Sequence, residues 1–297
     1  MIYSNRWRLS ALAVLVVALT ACGGGTSTGP SPTATPTASP QGIKTPTNLV
    51  KAGTLTFLSD TTYPPQESID TATNKAVGFD VDIANAIAAK MGLTATIKTN
   101  NFDSIIPDLL AKKGDAIISA MSITPERSKQ VAFVGYFQAG QSILVRKGNP
   151  LGISALKDLC GRKVAVQVTT TEQDTLNAEN AGDCKTNKIT IQTFPSDTDA
   201  VLKLKLGAVD AAMDDSPVAA YYVTQDPASF ELGGTPVQNA PEGIAIDPKN
   251  TDVLTATQQA MLAIFQDGTY HTLLVKWNLL DGEIPASQIK LSPSPGS

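Results

Sequence analysis

Between Gly53 and Trp277, short apolar runs alternate with stretches in which apolar residues recur every three or four positions. The runs suit buried strands and the recurrent stretches suit helices. Strands are predicted at Thr54–Ser59 and Thr94–Lys98. The helix between them gathers Ile83, Ala84, Ile87, Ala88 and Met91 on one face, and Gly92 stops it. A helix at Asp103–Lys113 and an apolar strand at Ala116–Ile118 complete a first set. A second set follows, with strands at Lys163–Gln167, Lys188–Gln192 and Val209–Met213. Its helices are Thr170–Asn180 and Asp197–Leu206, the latter capped by Gly207. Ser216-Pro217 opens a further helix, with serine as N-cap and proline at the first helical position. Asn250 or Thr251 begins a long helix that ends near Gly268, and a short one runs on to Trp277. Strands that alternate with helices predict α/β layers with mostly parallel strands.

Two successive sets predict two lobes. Gln141–Lys147 leaves the first set and Gln238–Gly243 leads back to it. Residues 49–143 and 244–290 therefore form lobe one, with the last helices, and 144–243 form lobe two. Open α/β sheets bind ligands at the carboxyl ends of their strands. Two facing lobes put such ends on both walls of one cleft, which a hinge can close.

The stretch Asp115–Arg127, DAIISAMSITPER, carries the first chemical signal. Its strand runs into a turn bearing Ser119 and Ser122. Thr124-Pro125 then reads as a helix start. Arg127 lies in that first turn, where the helix dipole disfavours a cation. An arginine beside free backbone N–H groups at a strand end makes a carboxylate site; the alternative is a surface pair with Glu126. Other polar or aromatic residues fall at strand ends too. In lobe one these are Asp60, Tyr63 and Phe102; in lobe two, Thr170, Thr171 and the pair Asp214-Asp215. Arginine on one wall and aspartate on the other suit a zwitterion. Two charges leaving water cost several kcal/mol each unless paired.

The ends of the chain concern location. Arg6 and Arg8 precede an apolar run from Leu9 to Leu19, too short to span a bilayer, which takes about 20 residues. Residues 1–21 read as a secretory signal peptide, and Leu19-Thr20-Ala21-Cys22 resembles a lipobox in which Cys22 becomes the lipidated N-terminus. Residues 22–48, rich in Gly, Ser, Thr and Pro, read as a tether. Residues 291–297 read as a loose tail.

The chain has 23 basic and 27 acidic residues. The leader removes two basic residues and no acid, so the exported part is more acidic still. Binding to nucleic acid or an anionic membrane through charge is therefore not expected. Cys160 and Cys184 in an exported protein predict a disulfide; two buried thiols are the alternative. With His271 as the only histidine, a metal site is not expected.

Three segments carry a family resemblance: GFDVDIANAIAAKMG (78–92), FDSIIPDLLAKKGDAIISAMSITPERSKQVAF (102–133) and LKLGAVDAAMDDSPVAAYY (204–222), with DGTYHTLLVKW closing it at Trp277. They resemble the family 3 extracellular solute-binding proteins, the polar amino-acid receptors of bacterial ABC importers. The resemblance implies the type 2 periplasmic-binding fold. Its two Rossmann-like lobes are joined by a two-strand hinge and close like a Venus flytrap. It also implies delivery to membrane permease subunits, no cofactor, no catalysis, and a monomer held by lipid to the outer face of the bacterial cell membrane.

Residue by residue, Arg127 resembles the carboxylate clamp and Ser122 a backbone N–H to the same carboxylate. Ala120 resembles a carbonyl for the ammonium, and Asp215 its acceptor in lobe two. Thr171, beside Thr170, resembles a further N–H to the carboxylate. Tyr63 and Phe102 resemble aromatic walls, and Asp60 the acid at the far end of the ligand side chain. Ala120 stands where Ser or Gly is common, Thr169 where Gly is usual, and Gln66 where Phe is common. Thr169 puts the path of its loop in question. Asp60, alone or together with Asp214, points to a cationic or amide side chain: Arg, Lys, ornithine or Gln.

Two other readings compete. The same fold hosts dehydratases of cyclic carboxylates, which need a general acid in the cleft; Glu172 is the nearby candidate. A sensor or surface lipoprotein could also borrow the fold.

Overall fold

A computed structural model describes residues 42–292. The signal peptide, Cys22, the linker through residue 41 and the tail from 293 lie outside the described residues.

Lobe one opens with β1 (Thr54–Ser59) and a small antiparallel flap, β2 (Thr62–Tyr63), β3 (Glu67–Asp70) and β4 (Lys75–Val77). Then come α1 (Phe79–Lys90), β5 (Thr94–Thr99), α2 (Ile105–Leu110), β6 (Ala116–Ile117) and α3 (Pro125–Ser128). The strand β7 (Ala132–Arg146) crosses into lobe two. There follow β8 (Lys163–Gln167), α4 (Thr171–Ala181), β9 (Thr190–Phe194), α5 (Asp197–Lys205), β10 (Ala211–Asp215), α6 (Ser216–Gln225) and β11 (Phe230–Leu232). The chain returns along β12 (Val237–Ile246) and adds α7 (Thr251–Gln266), α8 (Thr269–Trp277) and β13 (Leu291–Ser292).

The strands form one continuous path, β5-β1-β6-β12-β7-β10-β8-β9. Within lobe one, β1 runs parallel to β5 and β6; within lobe two, β8 runs parallel to β9 and β10. The antiparallel pair β7 and β12 joins them. Ala132 to Gln141 of β7 pair with β12, and Gln141 to Val145 pair with β10, so one strand belongs to both lobes. This is the two-strand hinge, and it explains why the two sheets share one ladder.

Each lobe has its own core. The apolar face of α1 packs with α7, α8 and the strands of lobe one through Ile83, Ile87, Ala260, Met261 and Ile264. In lobe two, Val164 and Met213 face one layer, while Ala165 and Ala212 face the other. That alternation follows from the strand's two-residue period. A disulfide joins Cys160 to Cys184 (Cα–Cα 5.0 Å), tying the approach to β8 to the segment after α4.

Several boundaries differ from the sequence reading. Residues 42–48, assigned to the tether, lie on lobe one. Ile43 packs on its core, Thr45 Oγ1 donates to Met91 O (2.8 Å), and the Thr47 N–H donates to Asp252 Oδ2 (2.8 Å). The first residues assigned to the loose tail pair with the hinge, Leu291 opposite Val134 and Ser292 opposite Phe133. The helix expected over Asp103–Lys113 is a short 3-10 turn followed by α2, and a left-handed Lys112 (φ 59°) ends the segment. Two strands of lobe two begin two residues later than expected, because pairing with their neighbours rather than composition sets where they start. Asp214 and Asp215 therefore lie inside β10. Ser216 does not cap α6 with its hydroxyl, which instead accepts the Gly140 N–H (3.3 Å).

Candidate functional site

A cavity between the lobes is lined by Asp60, Tyr63, Glu67, Phe102, Ser119, Ala120, Ser122, Arg127, Gln167, Thr170, Thr171, Glu172 and Asp215. It encloses about 310 Å³ of atom-free space, its mouth included. All nine residues singled out for binding from the sequence line this one cavity.

Strand ends supply most of the lining. Asp60 follows β1, Ser119 to Ser122 follow β6, and Gln167 closes β8. Asp215 closes β10. On α3, the Thr124 side chain accepts the Arg127 N–H (3.2 Å), as the N-cap reading predicts, and sets the direction of that short helix. Arg127 does not pair with Glu126. Its Nη1 donates to Ser122 O (2.9 Å) and its Nη2 to Thr169 O (3.1 Å), with the guanidinium 5.3 Å from the centre of the Phe102 ring. The Thr169 bond crosses the cleft.

Three further contacts cross it. Gln167 Nε2 donates to Asp60 Oδ2 (2.6 Å), the Asp215 N–H donates to Tyr63 Oη (2.7 Å), and Ser122 Oγ and Thr171 Oγ1 lie 3.4 Å apart. The lobes are therefore closed on one another.

Asp60 is held in one orientation. Oδ1 accepts from Thr62 Oγ1 (2.8 Å), and Oδ2 accepts from the Phe102 N–H (3.2 Å) as well as from Gln167. Burial raises its pKa, and these donors oppose the rise. The Arg127 pKa is lowered by burial, while Glu172 and Asp215 pull it back up. Asp215 is pushed well up by burial and by the charges of Glu172 and Glu242. Glu172 rises through burial, against bonds to its own backbone, Asp215 and Thr171.

Behind the lobe-one wall lies a carboxyl network. Ser119 Oγ donates to Glu67 Oε1 (2.7 Å) and accepts the Asp60 N–H (2.9 Å). Tyr136 Oη of the hinge donates to Asp80 (2.8 Å), which also accepts the Ala120 N–H (2.9 Å). Gly78 makes this network possible: a Cβ there would lie 2.1 Å from Gln66 O, so only glycine lets the flap sit on the start of α1. Gln66, where an aromatic was usual, gives its Nε2 to Glu242 Oε2 (3.2 Å). Asp80 is raised to about 6 by burial, and Glu67 is raised well up by burial and by Asp80.

The expected departures resolve differently. Ala120 (φ 43°) and Thr169 (φ 64°) both adopt the left-handed conformation that glycine takes without strain. Asp214 does not line the cavity. Neighbours on a strand face opposite sides, so as Asp215 turns to the cleft Asp214 turns to Asp197 of α5, whose charge adds to burial in raising its pKa. It offers the cavity no second acid. Glu67, Ser119 and Gln167 were missed. The strand-end rule reaches Ser119 and Gln167; no periodicity marks Glu67 in its four-residue strand. Among the described residues no cluster suits a metal ion, and no helix is long and apolar enough to cross a membrane.

Residues 55–280 match the model of the bacterial extracellular solute-binding proteins, family 3. The chain belongs to that family. It is 33% identical over 231 residues to a putative ABC transporter arginine-binding protein 2 of Escherichia coli strain K12, covering 76% of this chain and 91% of that one. The solved structure of an ancestral arginine-binding protein bound to arginine is 39% identical, with TM-score 0.71, covering 76% of this chain and 98% of the other. An ancestral amino acid-binding protein described as a precursor of cyclohexadienyl dehydratase is 34% identical, with TM-score 0.69, covering 76% and 95%. The fold of these family members is the type 2 periplasmic-binding fold, as the closed two-lobe architecture here requires.

Proposed function

We propose that this chain is the capturing component of an amino-acid ABC importer, and that its guest is an L-amino acid with a cationic side chain: arginine, lysine or ornithine. The observation that carries this reading is the charge balance of one cavity, in which Arg127 is the sole cation beside Asp60, Glu67, Glu172 and Asp215. A guest bearing two positive groups and one negative group suits that balance; an acidic guest does not.

In this reading the carboxylate takes the Arg127 guanidinium with the Ser122 and Thr171 N–H groups, Thr170 supporting that loop. The ammonium meets Ala120 O and Asp215. The side chain passes between Tyr63 and Phe102 to Asp60. Each charge leaving water then has a partner, and charge-assisted bonds are about twice as strong as neutral ones. The leader, Cys22 and the tether fit export and a lipid anchor on the outer face of the cell membrane, with permease subunits as partners and a monomer as the working unit. A relative named as a putative ABC transporter arginine-binding protein and a solved ancestral arginine-binding protein bound to arginine support the guest class.

A thermal-shift screen against the twenty amino acids tests the reading, since a guest held only by the folded state raises stability. Basic amino acids are expected to give the largest shifts. A largest shift from aspartate or glutamate would overturn the guest class, and no shift from any would overturn the receptor reading.

One observation favours a second reading, a dehydratase acting on a cyclic carboxylate. Glu172 is buried in the cavity with a raised pKa, as a general acid requires. Turnover of prephenate or arogenate would establish it.

A further inference from the structure

The starts of α4 and α6 bring two carboxyls together on the wall of lobe two. Glu172 is the second residue of α4, and Asp215 is the N-cap of α6. Both line the cavity, at 3% and 6% exposure. The charge of Glu172 adds to burial in raising Asp215. Two like charges buried together repel, so the pair is held more easily with one proton than with none. Glu172 Oε2 accepts from Thr171 Oγ1 (3.2 Å), while its Oε1 is buried without a partner.

The surroundings keep that proton in place. Glu242 of β12, Asp214 of β10 and Asp197 of α5 all oppose further negative charge at the pair. Tyr63 lies against it from the flap, and Asp60 and Glu67 line the facing wall. Drawing the other way are the backbone, the Thr171 hydroxyl and Arg127 of α3 at Glu172, and the Tyr63 hydroxyl at Asp215.

We propose that Glu172 is a further acceptor for the guest's ammonium, and that it shares one proton with Asp215 until the guest displaces that proton to solvent. This rests on the amino-acid reading above. An ammonium has three N–H donors, and Ala120 O, Asp215 and the unpartnered oxygen of Glu172 make three acceptors. The exchange balances: the O–H bond of the protonated carboxyl breaks, the ammonium enters between two carboxylates, and that proton leaves to solvent. No covalent bond to the guest forms. Both acids belong to one lobe, so the exchange is built into the site before the lobes close. Capture is thereby selective for a protonated amine and favoured by rising pH.

Calorimetric titration of the purified full-length protein with L-arginine, in phosphate and in Tris at one pH, tests this. The buffer dependence of the heat is expected to report close to one proton released per arginine. Release of one proton also predicts about tenfold tighter binding per pH unit wherever the free protein holds that proton and the complex does not. Glu172→Gln is expected to bind arginine more weakly and to lose the buffer dependence, since an amide holds no exchangeable carboxyl proton. Glu172→Leu serves equally if the amide variant misfolds, because an apolar side chain suits a desolvated position.

Arginine binding by the wild type with no proton released overturns this inference and leaves the receptor reading standing. Undiminished release in the Glu172 variant also overturns it, placing the proton elsewhere, as on Glu67 and Asp80. Absence of binding by arginine or any other amino acid overturns the receptor reading instead.

Discussion

Gln167 of lobe two donates its side-chain N–H to Asp60 of lobe one across the cleft, at 2.6 Å. The same amide reaches Pro195 O (3.0 Å), so Gln167 is anchored in its own lobe while it orients the acid opposite. Closure thus fixes Asp60 as well as covering it. If Asp60 meets a cationic side chain, Asp60→Asn should weaken arginine binding by about tenfold to a hundredfold, the range for a hydrogen bond to a charged group. Glutamine binding should change much less. Calorimetry with both amino acids measures the difference, and equal losses would remove Asp60 from side-chain recognition.

Arg127 is braced by two carbonyls, one from each lobe. Arg127→Ala is expected to weaken amino-acid binding by at least about a hundredfold, the cost of stranding a buried partner charge. Arg127→Lys should recover little, because an ammonium cannot reproduce the planar fork. Full recovery by lysine would show that charge alone matters there.

Buried acids make stability depend on pH in a defined direction. Asp80 and Asp197 are each raised to about 6 by burial. The folded state therefore binds more protons than the unfolded chain between the ordinary carboxylate range and pH 6. Their contribution is fully present below the unfolded value and is lost as pH rises through 6. The guanidinium midpoint should be higher at about pH 5 than at about pH 8. Midpoints that rise with pH over that range would show these acids to be ionised and paired in the native state.

The Cys160–Cys184 bridge closes a loop with a sequence separation of 24. Replacing both cysteines by serine should cost about 3 kcal/mol in the chain-entropy model. For a body of this size that is a fall in Tm of about 6–12 °C. Binding should persist, since neither cysteine lines the cavity.

Thr169 holds a left-handed backbone (φ 64°), and its N–H donates to Gln173 Oε1 (2.7 Å) while its carbonyl takes Arg127. A β-branched residue is strained there. Thr169→Gly should stabilise the protein by up to about 1 kcal/mol, the relief exceeding the extra chain entropy of glycine. The backbone contacts survive the change, so arginine affinity should stay within about twofold.

Periodicity and strand-end position were enough to find β1, β8, α1 and the set Asp60, Arg127, Thr171 and Asp215. They are local properties: a strand's carboxyl end is marked by where its apolar run stops, and an N-cap by the residue before a proline. The same logic overreached at Asp214, because β10 begins where β7 and β8 pair with it rather than where valine appears. The docked residues 42–48 were hidden by a composition that averages Ile43 and Pro46 into a polar tract.

The amino-acid order thus determined two α/β lobes, the return of the chain to the first, and which residue types face a cleft. Tertiary structure alone decided which groups meet: Gln167 bonds Asp60, the charge of Glu172 acts on Asp215, and that of Asp80 acts on Glu67 beside the close approach at Gly78. Those partners lie far apart in sequence, and their protonation follows from shared burial. Neither distance nor dielectric is written in any local pattern.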